Sequence, residues 1–246
     1  MERNLKLTIA YDGTAYHGFQ RQANALSIQQ VLEERLERLF GHPLRIAGAG
    51  RTDAGVHAYG QVITFPVSGT IPIGRVPLAA KGVLPPDIVV VAAEEVDAAF
   101  HARFSAKSKI YLYRLHAGRH ADPFLRNYTW QLTLQPDAAA MNEALQAIIG
   151  PHDFSSFRAA GGATADPVRT IYAASCRQDG SLTEFSFWGN GFLYHMVRNL
   201  VGTLVDVGLG RLTQEGFAAT LAGKDRNLAG ITAPPQGLYL KQVLYD

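Results

Sequence analysis

The sequence contains almost no thiol chemistry: Cys176 is the one cysteine among 246 residues. A disulfide framework is therefore excluded, and so is any zinc site that needs two or more thiolates. No apolar run reaches the roughly 18 residues of a membrane span. The charged start, Met1 to Lys6, is not followed by an apolar core with a small-residue cleavage site, so no secretory signal is expected and the location is expected to be cytoplasmic. Charged residues make up only 18%, and no stretch combines high charge with a shortage of apolar residues. A disordered tail is not expected. The glycine-rich segment near residue 50 has no Lys-Ser or Lys-Thr after its glycines and lacks Gly-x-Gly-x-x-Gly, which excludes the common phosphate and dinucleotide loops.

What remains is a chain that is 47% hydrophobic, enough for one large domain or two of ordinary size. Its net charge is +2, which says little about partners. The kind of base says more: of 23 Lys plus Arg, 17 are arginine, the side chain that grips phosphate with a flat pair of donors. Between His101 and Arg126 lie Arg103, Lys107, Lys109, Arg114, Arg119 and Arg126, with Asp122 the one acid and Phe104, Tyr111 and Tyr113 interleaved. That mixture suits a nucleic acid better than an average surface does.

Strands and helices mix along the chain. Leu5, Leu7 and Ile9 alternate with Lys6 and Thr8, the period of a half-buried strand. Ser27 with Gln30 reads as a capping box opening a helix through Ile28, Val31, Leu32, Leu36, Leu39 and Phe40, closed by Gly41 and Pro43. Val62 to Phe65 and Ile88 to Ala92 read as buried strands, and Lys109 to Leu115 as a strand with Tyr111 and Tyr113 on one face. Pro136 and Asp137 suit a first helical turn, with Met141, Leu145, Ile148 and Ile149 as its stripe and Gly150-Pro151 as its stop. Strands are expected at Thr170 to Cys176, Leu182 to Trp188 and Leu238 to Tyr245, and a helix from about Tyr194 to Val207. Gly41-His42-Pro43 and Gly150-Pro151-His152 each follow a long helix, a hint of duplication. The expected division is an N-terminal half 1–117, a connector 118–135 and a C-terminal half 136–246.

The segment Gly48-Ala49-Gly50-Arg51-Thr52-Asp53-Ala54-Gly55-Val56-His57 is the most suggestive. Asp53 is its only acid, with Arg51 two positions away. Small neighbours let a bulky flat substrate approach a carboxylate, a guanidinium keeps it ionised, and an ionised carboxylate can act as a nucleophile. Taken alone, Thr-Asp-Ala-Gly is also what a surface turn looks like. In the helix near 200, His195, Arg198, Asn199 and Gly202 form a polar stripe with no Lys or Glu from Tyr194 to Gly210, which suits a cleft better than a solvated face.

GAGRTDAGVHA, with FHARFSA (Phe100 to Ala106), GNGFLYHMVRNLVG (Gly189 to Gly202), YDGTAYHGFQRQ (Tyr11 to Gln22), LPPDI (Leu84 to Ile88) and TAPPQGLYL (Thr232 to Leu240), resembles the tRNA pseudouridine synthase A family, in family order from first strand to last. One departure is Lys81, where the family usually has asparagine. The resemblance implies isomerisation of uridine to pseudouridine at positions 38, 39 and 40 of the tRNA anticodon stem-loop, without cofactor or metal. It implies an α+β fold of two similar α/β halves forming a larger mixed, mainly antiparallel sheet covered by helices, and a homodimer. By position Asp53 matches the catalytic aspartate, whether it attacks the ribose, attacks the ring or removes a ribose proton. Tyr111 matches the tyrosine that stacks on the target base, and Arg198 the active-site basic residue; Arg51 is expected to hold the flipped nucleotide. We expect Arg198 to pair with Asp53, and unchanged turnover and pH profile in Arg198→Ala would exclude that. His57 is read as structural or as an RNA contact. Arg21, Gln22, Arg103 and Lys107 are expected RNA-backbone contacts. Two rivals are an RNA-binding module without chemistry and a base-excising glycosidase, which would need a second acid.

Overall fold

The computed structural model describes residues 2–162 and 165–246 and divides into two compact units, Met1–Lys107 with Tyr239–Asp246, and Ser108–Leu238. Both are α+β: a mostly antiparallel sheet flanked by helices.

In the first unit β1 (Glu2–Tyr11) is central, paired antiparallel with β3 (His57–Ser68) on one side and β4 (Ile88–Val96) on the other. The alternation read from the sequence is the reason: Leu5, Leu7 and Ile9 all lie fully buried on one face. The two-residue strand β2 (Ala47–Gly48) also pairs with β3. The last strand, β10 (Leu238–Leu244), joins β3 in parallel, with Tyr239 opposite His57 and Leu240 opposite Ala58. Helix α1 (Ile28–Phe40) buries Ile28, Val31, Leu32 and Leu36. Ser27 caps it by accepting from the Gln30 amide at 3.3 Å. The reciprocal half of the expected capping box is absent, since the Gln30 amide group donates to Glu34 instead. Gly41 ends the helix at φ 78°, its N–H donating to the Glu37 carbonyl, the left-handed cap that favours glycine. Helix α2 (Val76–Lys81) ends on Lys81. The expectation of a buried strand at 88–92 holds on one face only: Ile88 and Val90 are buried while Val89 and Val91 are more than half exposed. Side chains alternate between the two faces of a strand, so Ile88 and Val90 point to one face and Val89 and Val91 to the other.

In the second unit β5 (Ser108–Ala117), β9 (Leu182–Gly189), β8 (Val168–Asp179) and β7 (Gly150–Asp153) follow one another antiparallel, and β6 (Trp130–Leu132) runs parallel to β5. Phe185 and Phe187 of β9, Tyr113 of β5, and Phe154, Phe157 and Phe217 are fully buried. Helix α3 (Ala138–Ala144) is capped by the Asp137 carboxylate, which accepts from the amides of Ala139 and Ala140. Helices α4 (Met196–Gly208) and α5 (Gln214–Gly223) complete the unit.

Three readings change. The helix expected through Ile149 ends at Ala144 and gives way to one tight turn, Leu145–Ile148. Gly150 then opens β7 at φ 98°, so the Gly-His-Pro echo closes a helix in one place and starts a strand in the other. The helix expected from Tyr194 starts at Met196, with His195 at φ 59° before it. The division falls at 107/108 and 238/239 rather than within 118–135. β5 pairs with β9 from Lys109 to His116, and β6, inside the expected connector, pairs with β5; those ladders bind the stretch into the second unit.

Candidate active site

Asp53 lies on the loop between β2 and β3, half-buried, between buried Thr52 and exposed Ala54. The loop is held from beneath by its own hairpin: the Ala49 amide donates to the Val62 carbonyl at 2.8 Å, and the buried Gln61 side chain donates to the Gly50 carbonyl at 2.9 Å. It is held from the side by the segment that follows β1. The Phe19 amide donates to the Thr52 carbonyl at 3.0 Å, the Gly55 amide donates to the Tyr16 carbonyl at 3.2 Å, and the Tyr11 and Thr52 hydroxyls share a bond of 2.7 Å. Within the loop the Val56 amide closes a turn onto the Asp53 carbonyl at 3.2 Å. Complete burial pushes the Tyr11 phenol up to about 12, against hydrogen bonds that pull it down.

Two glycines make this approach possible. Gly18 stands at φ +87°, and a Cβ there would sit 2.6 Å from the Thr52 carbonyl oxygen; one on Gly13 would sit 2.0 Å from the Val56 carbonyl oxygen. Only a bare backbone fits against the loop at these points. The sequence reading used Tyr11 to Gln22 for the family pattern and for Arg21 and Gln22 as RNA contacts, and missed this work. A signal was present: Gly13 and Gly18 stand in a stretch without helical or strand period, between aromatic residues, which marks close backbone approach.

His57 begins β3 and is 2% exposed. Its Nδ1 lies 3.1 Å from both the Gly13 amide and an Asp12 carboxylate oxygen. Both contacts place the ring against the Asp12-Gly13 turn. The ring stacks on Tyr239 with centroids 4.8 Å apart. This is a supporting position, and it fixes the turn at Asp12-Gly13. Arg51 is exposed beside Asp53.

The expected RNA contacts of this unit are placed as follows. Arg21 is half exposed and pairs with Glu33 at 2.9 Å. Gln22 donates to the His17 carbonyl at 2.7 Å. Arg103 and Lys107 are exposed, and the Arg103 guanidinium lies 5.6 Å from the centre of the Phe104 ring.

In the second unit Tyr111 sits mid-strand in β5, buried, with the Phe192 ring edge-on at 5.0 Å. Tyr113, two residues on, is fully buried, donates to the Pro234 carbonyl at 2.7 Å, and is the packing residue of the pair. Arg198 is part-buried in the first turn of α4. Its Nε donates to the Ala233 carbonyl at 2.7 Å, and its own carbonyl accepts from the Ala233 amide at 3.1 Å. The first bond fixes the plane of the guanidinium.

Two members of the polar stripe, Asn199 and Gly202, are taken up within the unit and do not face a cleft. Asn199 is fully buried; it donates to the Phe157 carbonyl and accepts from Thr232 and Arg226. Gly202 is where the Ile231 carbonyl comes down: a Cβ would stand 1.8 Å from it. The stripe seats the segment 226–233, and Arg198 is at the end of that seat. Polar residues on a helix suit a second backbone as well as a cleft, which is why the pattern misled.

Among the described residues no group of three or more His, Cys, Asp or Glu is arranged to hold a metal ion, and no helix is long and apolar enough to cross a membrane. Chemically, the first unit offers one carboxylate on a backbone-defined loop, flanked by Arg51 and small residues. The second offers a buried tyrosine and an oriented guanidinium. A family model described as tRNA pseudouridine synthase matches residues 7–105 and 144–246. A protein of Lacticaseibacillus casei (strain BL23) named tRNA pseudouridine synthase A is 47% identical over 243 residues, covering 98% of both chains. One of the same name from Geobacillus sp. (strain WCH70) is 46% identical over the full length of both, and one from Thermoanaerobacter sp. (strain X514) is 43% identical over 99% of this chain and all of its own. With the matched regions containing Asp53 and Arg198, this chain belongs to the tRNA pseudouridine synthase family.

Proposed function

We propose that this protein isomerises uridine to pseudouridine at positions 38, 39 and 40 in the anticodon stem-loop of tRNA. The observation that carries the reading is the Asp53 loop: one acid among small residues, held by hydrogen bonds on both sides, in a chain whose family and full-length relatives bear the name of this activity. In the reaction the bond from ribose C1′ to base N1 breaks, the base turns, C1′ bonds to C5, the C5 hydrogen leaves to solvent and N1 gains a proton. Asp53 is the catalytic residue and acts as an ionised carboxylate. The target base leaves its stack at a cost of a few kcal/mol; Tyr111 stacks on it, while Arg51 and Arg198 hold the flipped nucleotide. Arg103 and Lys107 meet the RNA backbone, as do Arg21 and Gln22. The Arg21 guanidinium pairs with Glu33 and lies 3.7 Å from Glu34, which leaves its Nε and part of each amino group for the RNA. The protein works in the cytoplasm as a homodimer, with RNA clefts that use both copies.

The test is an unmodified tRNA carrying tritium at uridine C5. Tritium release without free uracil is expected. Free uracil would indicate a glycosidase, and neither product a binding module. Asp53→Asn is expected to bind tRNA and release no tritium; activity within about tenfold of the parent would remove Asp53 from the chemistry. Light scattering at working concentration checks the dimer, with a monomeric mass as the contrary result.

A further inference from the structure

The segment Asp97 to Lys107, at the end of the first unit's contiguous stretch, carries an arrangement that the roles above do not use. Phe104 is 76% exposed, among the most exposed large apolar side chains of the molecule. Its surroundings are ordered. The His101 ring lies 4.4 Å from it, centre to centre, tilted by 33°, and the Arg103 guanidinium approaches at 5.6 Å. His101 Nδ1 accepts from the amides of Arg103 and Phe104 at 3.1 and 3.4 Å, and the Ser105 hydroxyl accepts from the His101 amide while the Ser105 amide returns a bond to the His101 carbonyl. The buried Ala102 anchors the turn below: its amide donates to the Thr64 hydroxyl of β3 and its carbonyl accepts from the Tyr245 phenol. The loop thus spends several hydrogen bonds on holding an aromatic ring outward, where it gains nothing from burial.

We propose that Phe104 is a stacking platform for a base of the bound RNA, held in place by His101 and flanked by Arg103 and Lys107. This rests on the reading of the protein as a tRNA-modifying enzyme and extends it to a residue that contacts RNA without touching the reacting uridine. Charge selects the partner class: the Arg103 guanidinium lies 5.6 Å from the ring centre, and from Ala98 to Ala121 the chain has no acid. An apolar face beside a guanidinium accepts a nucleobase and its phosphate together. His101 is a positioning residue, because its Nδ1 sets the backbone on which the ring stands.

The experiment measures equilibrium binding of an unmodified tRNA transcript to Phe104→Ala, Phe104→Trp and His101→Ala, with tritium release run alongside. Since stacking on an aromatic is worth roughly 1–3 kcal/mol per base, Phe104→Ala is expected to bind about tenfold or more weakly, with the loss carried by KM. Its dependence on salt stays that of the parent, whereas Arg103→Ala lowers the salt slope by about one. Phe104→Trp keeps the affinity, and the introduced indole loses emission on adding tRNA, relative to the parent. His101→Ala combined with Phe104→Ala is no worse than Phe104→Ala alone, the signature of two residues acting as one unit. Affinity of Phe104→Ala within about twofold of the parent, or an introduced indole blind to tRNA, overturns the proposal. Absence of tritium release by the parent protein would count against the enzymatic reading instead, and the binding measurements would still judge Phe104.

Discussion

At the scale of single residues, the loop that carries Asp53 is held by neighbours that carry no charge. Gly18 is the sharpest case, because it combines φ +87° with a backbone that leaves no room for a methyl group. Gly18→Ala is expected to push the Thr52–Asp53 peptide outward, and displacement of a reacting group by about 1 Å can cost on the order of a hundredfold in rate. Turnover should therefore fall far more than tRNA affinity, and equal losses in both would argue against this account. Asp53 was picked out by the family resemblance, since its local surroundings alone also read as a surface turn. Its supports were not. A glycine that touches the carbonyl of Thr52, 34 residues on from Gly18, has the same letter as a glycine in a loop, and only the pairing of β1 with β3 brings the two together.

At the scale of elements, legibility followed local period. β1 and α1 bury one regular face, β5 and α4 are buried on more than one, and all four were read close to their true ends. β7 could not be read, since Gly-Pro-His-Asp has the letters of a stop signal and becomes a strand only because β8 lies beside it, His152 opposite Arg169. α5 has Thr213 as its cap but little apolar periodicity in Gln214–Gly223, with Phe217, Thr220 and Leu221 its buried residues. α4 carries the element-scale prediction. The segment 226–233 is fastened to it at Asn199, Gly202 and Thr203, the last donating to Asn199 and accepting from the Gly230 amide. Gly202→Ala places a methyl group against the Ile231 carbonyl and is expected to lower stability by about 1–3 kcal/mol, as overpacking does. Limited proteolysis should then cut between 226 and 233 before anywhere else in this unit. A variant as stable and as resistant as the parent would show that the seat can shift without loss.

At the scale of the whole molecule, the buried phenols and thiol set an upper pH limit. Burial holds the Tyr11 phenol up at about 12 and the Cys176 thiol likewise at about 12; Tyr16, beside Asp87, and Tyr245 are also raised. A group whose folded value is raised contributes stability that is complete below its unfolded value and is lost as pH climbs toward the folded one. For a tyrosine that window opens near pH 10, and each such fully buried group costs about 1.4 kcal/mol per pH unit within it. The melting temperature should accordingly be level below about pH 9 and fall steeply above about pH 10. Tyr11→Phe should flatten that fall, and an unchanged slope would show that Tyr11 titrates freely in the folded state. The division of the molecule was the feature least legible in the sequence, because the strand that closes the first unit comes from its far end.

That strand has a consequence for the making of the protein. β10 lies beside β3, with Tyr239 against the His57 ring that holds the Gly13 turn under Asp53. The second unit, Ser108–Leu238, is continuous and complete before residue 239 is added. The unit bearing the acid must wait through the synthesis of all of the other. A chain that stops short of Tyr239 therefore carries its aspartate without the strand that backs the His57 ring.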